Sequence, residues 1–276
     1  MNIFFNIVFF ITGSCVGSFL NVCIWRFPKN ISLVRPSSFC PQCNTPIRWY
    51  DNVPILSYLF LRAKCRTCGK KISIRYPIVE LLGGLLFLVL YTQAGFGLSF
   101  VKYAIFFCLL IVVSFIDIDY HAIPVHLCLL GIVVGLTFAL GESFRYMKTG
   151  LFEMKDLPIV GSLKGLVFGL GFTYLFKLFG DVFITFYLNW RKKDSIEGEK
   201  ESLGLGDVDF MGMVGVYLGA SAVPFVFFLA PFLALVYSVC ALIFKKSHLI
   251  PYLPYLSLAT LIVYFWGGAI LHFVLK

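Results

Sequence analysis

Phe100-Val-Lys-Tyr-Ala-Ile-Phe-Phe-Cys-Leu-Leu-Ile-Val-Val-Ser-Phe-Ile-Asp117 is an apolar run that closes on an acid. Its length suits a helix across a bilayer, since about 20 residues rising 1.5 Å each span a hydrocarbon core of about 30 Å. A second acid, Asp207, stands ninety residues further on, directly after Gly204-Leu205-Gly206 and at the head of another apolar run. A carboxylate at the edge of a membrane segment is costly unless it serves a purpose. Two carboxylates brought together in a partly dry site do not both ionise. One keeps its proton and the other does not, which gives an acid and a base at neutral pH.

The composition agrees with membrane segments throughout. The 276 residues are 59% hydrophobic, 18% aromatic and only 13% charged, against about 25% charged in a soluble domain. Mean hydropathy is +0.89. The expectation is an all-α polytopic membrane protein with about eight transmembrane helices and a small cytosolic loop domain. Ten of the 23 Lys and Arg fall between Arg26 and Arg75. The net charge of +9 is therefore local and reads as membrane topology rather than nucleic-acid binding. The amino end lacks a basic leader region, so residues 3–25 are read as a retained span in contact with membrane lipid.

Outward from the two acids, the chain divides into spans. Span 1 covers 3–25 and carries Gly13, Gly17 and Asn21 at four-residue spacing, a face suited to close helix packing. The basic segment 26–77 is placed in the cytosol, with the amino terminus outside. Its apolar piece, Val53 to Leu61, is too short to cross and is expected to pack under the loop. Further spans are read at 77–94, 100–117, 123–141, 158–177, 207–219, 222–244 and 252–274. Pro77 suits a first helical turn, and Glu80 is read as a helix-end charge. Gly161, Gly165 and Gly169 form a second packing stripe.

Residues 178–203 carry Phe179, Val182, Phe183, Phe186, Tyr187 and Trp190 at helical spacing. A surface helix on the inner leaflet is favoured over a continuation of span 5. Eight spans with the amino end outside put Asp117 and Asp207 on one side, the cytosolic one. Arg191-Lys192-Lys193 and Lys245-Lys246 fall there too, while Arg145, Lys148, Lys155 and Lys164 lie near the opposite face and weaken the bias. The expected division is helix 1 (1–25), a tetracysteine domain (26–77) and a helical core that carries both acids (78–276).

Of nine cysteines, Cys15, Cys23, Cys108, Cys128 and Cys240 lie within apolar runs and read as small buried side chains. Cys40-Pro-Gln-Cys43 and Cys65-Arg-Thr-Cys68 are different. Two C-x-x-C pairs 21 residues apart supply four thiolates on two tight turns, the ligand set of a structural zinc ion. A reducing cytosol argues against two disulfides.

Asp117 opens Asp117-Ile-Asp119-Tyr-His121-Ala-Ile-Pro124, which by itself is also an ordinary polar turn. Asp207 is also an ordinary helix cap. Gly204 and Gly206 tip the reading, because they remove side chains where the backbone must unwind or a neighbour must approach. Asp119 and Asp209, each two residues further along, compete for the same roles. His121 is close enough to be weighed as a base. The pair as a whole fits the chemistry of aspartic proteolysis.

The chain resembles the bacterial type IV prepilin peptidases, which belong to the Gly-x-Gly-Asp intramembrane aspartyl proteases. The matching residues are Gly17-Ser-Phe-Leu-Asn-Val-Cys-Ile-Trp-Arg-Phe-Pro28, both cysteine pairs, Trp49-Tyr-Asp-Asn-Val-Pro54, Ile72-Ser-Ile-Arg-Tyr-Pro77, Val79-Glu80-Leu81-Leu82, the 117–124 turn and Gly204-Leu-Gly-Asp207. The resemblance implies Asp117 and Asp207 as the catalytic pair, with Asp117 preferred to Asp119. It implies cleavage of the basic leader of type IV prepilins or pseudopilins at a Gly-Phe junction, on the cytosolic side of the bacterial inner membrane. It also implies N-methylation of the new amino terminus with S-adenosylmethionine, an activity associated with the cysteine loop. No Gly-rich nucleotide turn follows a strand, and no residue is assigned to methyl transfer. Three positions depart from the pattern: Val125, Asp209 where Lys is frequent, and the long stretch 180–203.

Two other classes are weighed. A proton-coupled transporter would use the acids as a relay and need further ionisable residues in mid-span. A non-enzymatic scaffold for a secretion machine would need only the zinc loop and the helices.

Overall fold

Glycines decide how closely the helices pack. The computed structural model describes residues 3–148, 153–191, 202–243 and 251–274, and among them it is all-helical apart from two isolated β-bridges. The chain divides into two compact units, Met1–Tyr120 and His121–Lys276.

The first unit holds α1 (Ile3–Arg26), the short α2 (Leu56–Phe60), α3 (Arg75–Ala94) and α4 (Leu98–Tyr120). The expected stripe on α1 is the face that meets α3. A methyl group on Gly13 would run into the backbone of Gly83, and one on Gly17 would lie 2.7 Å from the Glu80 Cα. Asn21, one turn on, donates from Nδ2 to the Tyr76 carbonyl at 3.0 Å. Aromatic rings close the other end, where Phe9 stacks on Tyr91 at 4.0 Å between centroids.

The second unit holds α5 (Val125–Met147), α6 (Pro158–Arg191), α7 (Leu205–Leu218), α8 (Ala222–Ile243) and α9 (Leu253–Val274). Gly165 of α6 and Gly215 of α7 bring their backbones into direct contact, and Gly169 sits on Met211 and Gly212. Gly161 faces open space, so the packing stripe on α6 is two residues, not three.

Helices α1, α3, α4, α5, α6 and α8 contain stretches long and apolar enough to cross a membrane, and the protein is a multi-pass membrane protein. Helix α7 is different. Its 14 residues extend about 21 Å, short of a hydrocarbon core of about 30 Å.

Two expectations about whole segments fail. The stretch after Lys177 is not a separate surface helix: α6 runs without a break to Arg191. Its apolar stripe, with Phe179, Val182, Phe183 and Phe186 each about 70% exposed, is the outer face of that long helix. No Pro or Gly pair interrupts the segment, so the ladder simply continues. Lys192, Lys193, Lys245 and Lys246 lie outside the described residues. The second failure is partial: in Val53 to Leu61, Ile55, Tyr58 and Leu61 are half-buried, but the other large apolar side chains are not covered. Leu59 and Phe60 are 64% and 83% exposed, because the loop is too small to offer a core that could cover them.

Candidate active site and metal centre

The four loop cysteines converge. Their sulfurs all lie within 4.8 Å of one another, and Cys40 Sγ is 4.0 Å from Cys68 Sγ. Four ligands at about 2.3 Å around a tetrahedral ion stand about 3.8 Å apart, so the set fits a metal ion. The two pairs are built alike. Asn44 donates its amide to the Cys40 carbonyl at 2.8 Å, and Gly69 donates to the Cys65 carbonyl at 2.9 Å. Both residues are left-handed, with φ of 54° and 68°. Each knuckle is closed by an antiparallel bridge, Phe39 to Pro46 and Lys64 to Lys71. Hydrogen bonds from Thr45 pull the Cys43 thiol down to about 6. Cys68 goes the other way, to about 11: the Lys70 amide lowers it, but burial and the neighbouring sulfurs outweigh that. Crowded thiols lacking a cation cannot all ionise, and a bound metal would remove the conflict.

Arg66 clamps Asp51 across the loop, its Nη2 2.6 Å from Oδ1 and its Nε 2.8 Å from Oδ2. Arg26, at the end of α1, is 3% exposed and donates to the carbonyls of Ser32 and Pro36 at 2.7 and 2.8 Å. These contacts hold the loop to the helix that precedes it.

Asp117 lies in the last turn of α4 and is 6% exposed. The helix extends three residues beyond it, so Asp117 is inside the helix rather than after it. Asp119 is exposed and pairs with Arg75 at the start of α3. His121 is also exposed, with left-handed φ of 49°.

Asp207 is the third residue of α7 and is likewise 6% exposed. Its Oδ2 accepts the Gly204 amide at 3.2 Å, the reach-back half of a capping box. Gly206 is required by close approach, because a Cβ there would strike Ile123. The segment entering α7 is pinned to α6. Ser202 donates its amide and hydroxyl to Asp181 Oδ1 at 2.7 and 2.8 Å, and Lys177 donates to the Leu203 carbonyl at 2.9 Å. Where the described chain resumes at Ser202, two residues before Gly204, it is therefore held beside Asp181 of α6. Asp209 is half-buried on the same helix.

Two family models match the chain: the bacterial peptidase A24 N-terminal domain over residues 11–94 and the type IV leader peptidase family over residues 104–239. A relative from Escherichia coli O78:H11, named as a type 4 prepilin-like proteins leader peptide-processing enzyme, is 32% identical over 268 residues, or 89% of this chain and 88% of the relative. The chain belongs to the type IV leader peptidase family. It is an enzyme. A prepilin leader peptidase/N-methyltransferase of Neisseria gonorrhoeae is 31% identical over 262 residues, covering 86% of this chain and 82% of that one. Another of that name, from Myxococcus xanthus, is 35% identical over 218 residues, and the match spans 78% of this chain but 56% of the relative. No solved structure matches the chain.

One feature escaped the sequence reading. Glu80 is not a helix-end charge but is buried, 8% exposed, against the loop, and accepts the Ile55 amide at 2.7 Å. Its place in the Pro77 to Leu82 motif was the available signal, but proximity to a helix start suggested solvent instead.

Proposed function

We propose that this chain cleaves the basic leader from type IV prepilins or pseudopilins at a Gly-Phe junction, with Asp117 and Asp207 as the catalytic pair. The observation that carries the reading is the burial of both acids, 6% exposed each, at the ends of apolar helices in a chain of this family. Arg75 occupies Asp119, which supports Asp117 as the reacting member of its turn.

In this reading one carboxylate takes a proton from water while the other, protonated, donates to the scissile carbonyl oxygen. The water oxygen bonds to the carbonyl carbon. Collapse of that adduct breaks the C–N bond, and the leaving amine takes back a proton. The two acids exchange roles during one turnover and end as they began.

The eight-span topology completes the proposal. With α7 and α9 counted as spans and the amino terminus outside, both acids and the cysteine loop face the cytosol in the bacterial inner membrane. Residues 78–276 form the protease core. The four cysteines hold zinc, whose tetrahedral preference matches the sulfur set. The N-methyltransferase activity in the relatives' names leads to the second activity, methylation of the amine released by cleavage. S-adenosylmethionine would supply an electrophilic methyl group, and the amine would lose a proton as it takes the methyl.

The test uses the purified full-length protein in detergent with a prepilin carrying a Gly-Phe junction. Cleavage by the native chain and none by Asp117→Asn or Asp207→Asn is the expected result. Full processing by either variant would remove the pair, and no processing by the native chain would favour the scaffold.

A further inference from the structure

The first unit contains a cavity of about 930 Å³ between the loop and the helices α1 and α3, at the upper end of the range for small-molecule sites. Its walls are rich in cations, yet most of these are already engaged. Arg26 is held by loop carbonyls, Arg66 by Asp51 and Arg75 by Asp119. Lys70 donates to Gln42 at 3.1 Å, and Lys29 sits 3.7 Å over the Trp25 ring.

The acceptors on the same walls are in the opposite condition. Glu80 is 8% exposed and receives only neutral donors, the Ile55 amide with the Ser18 hydroxyl beside it. Among the described residues no Lys or Arg pairs with it. Asn21 is 2% exposed, and its Oδ1 has no hydrogen-bond partner. Its amide cannot be turned round to correct this, because Nδ2 faces the carbonyls of Tyr76 and Gly17, which accept and cannot donate. A buried carboxylate without a counter-cation and a buried amide oxygen without a donor each cost free energy that a ligand could recover.

We infer that Glu80 and Asn21 form a binding site for a primary ammonium group. An ammonium supplies one positive charge for the carboxylate and three N–H donors, enough for both acceptors. Two sources carry that chemistry, and this step rests on the two activities proposed above. One is the amino terminus released by cleavage. The other is the amino-acid end of the methyl donor.

The experiment measures ligand binding to the full-length protein in detergent by calorimetry. The probes are a short peptide beginning with Phe, its N-acetylated form, S-adenosylhomocysteine and N-acetyl S-adenosylhomocysteine. The native protein should bind one of the free amines about tenfold or more tightly than its acetylated partner. Which pair shows the preference identifies the source. Glu80→Gln should abolish the preference while leaving the acetylated probe's affinity unchanged, and Glu80→Asp should restore part of it. Zinc content reports that the loop is intact in each variant.

Equal affinity for the free and acetylated forms of both probes by the native protein would overturn the inference, without needing any variant to fold. So would a Glu80→Gln protein that keeps the preference, or one that loses affinity for both forms equally. Prepilin cleavage by the native protein, measured alongside, separates the two readings. Normal cleavage with no ammonium preference sinks only this site, whereas absent cleavage sinks the peptidase proposal.

Discussion

The cysteine loop and the α6–α7 pair are stabilised in opposite ways. In α7, eleven of 14 residues are buried, and backbone meets backbone where glycines remove the intervening side chains. The loop between α1 and α3 buries almost nothing of its own, and Trp49 and Phe60 are each 83% exposed. What it has instead is four sulfurs gathered within 4.8 Å, a clamped Asp51 and two bridged knuckles. A segment with no core depends on a few strong, local cross-links, while a helix pair depends on many weak contacts that require shape. The two regions should therefore fail under different insults.

The largest separation concerns the acids of the helical part. Asp117→Asn and Asp207→Asn should each lower cleavage by at least about a hundredfold while zinc content stays at one ion per chain. Loss of zinc in either variant would mean that the two regions are not independent. Next comes Cys40→Ser, or prolonged exposure to a strong chelator. It should empty the metal site and open residues 38–72 to proteolysis, with far-ultraviolet helicity nearly intact and methylation reduced more than cleavage. A cooperative loss of helix would show that the bundle needs the loop.

A smaller effect is expected from Gly165→Leu, which forces side-chain volume between two touching backbones. It should destabilise the protein by about 1–3 kcal/mol, read as a lower melting temperature in detergent with zinc still bound. An unchanged melt would mean that α6 and α7 can separate at no cost.

The smallest concerns Asp51. Arg66, hydrogen-bonded to it, holds its carboxyl below the usual range. A depressed carboxyl contributes stability that is present above the unfolded value and fades as pH falls through the folded one. Loop protection in hydrogen exchange should accordingly weaken from the ordinary carboxylate range downwards, and Asp51→Asn should remove that dependence. Because Arg66 is half exposed, solvent screens the pair and the change should be slight.

Much of this was legible beforehand, for identifiable reasons. Helix limits agree closely where an apolar run meets a polar break: 3–25 became Ile3–Arg26, and 252–274 became Leu253–Val274. The α1 stripe was readable because small residues at four-residue spacing share one helical face. Gly161 shows where that logic stops. Spacing places a glycine on a face, but only the partner helix decides whether anything lies opposite it. The surface-helix reading of 178–203 failed similarly as far as Arg191, since an apolar stripe looks the same whether it meets lipid beside a long helix or a membrane surface.

By itself the sequence determined the membrane class, the positions of most helices, the grouping of four cysteines and the two acids that stand at helix ends. Those properties follow from local composition and short-range spacing. The tertiary structure decided that Asp119 is taken by Arg75, that Ser202 is held beside Asp181, and that Glu80 and Asn21 share one cavity wall. Each depends on which side chains from distant stretches meet, and burial alone turns an ordinary polar residue into a costly one.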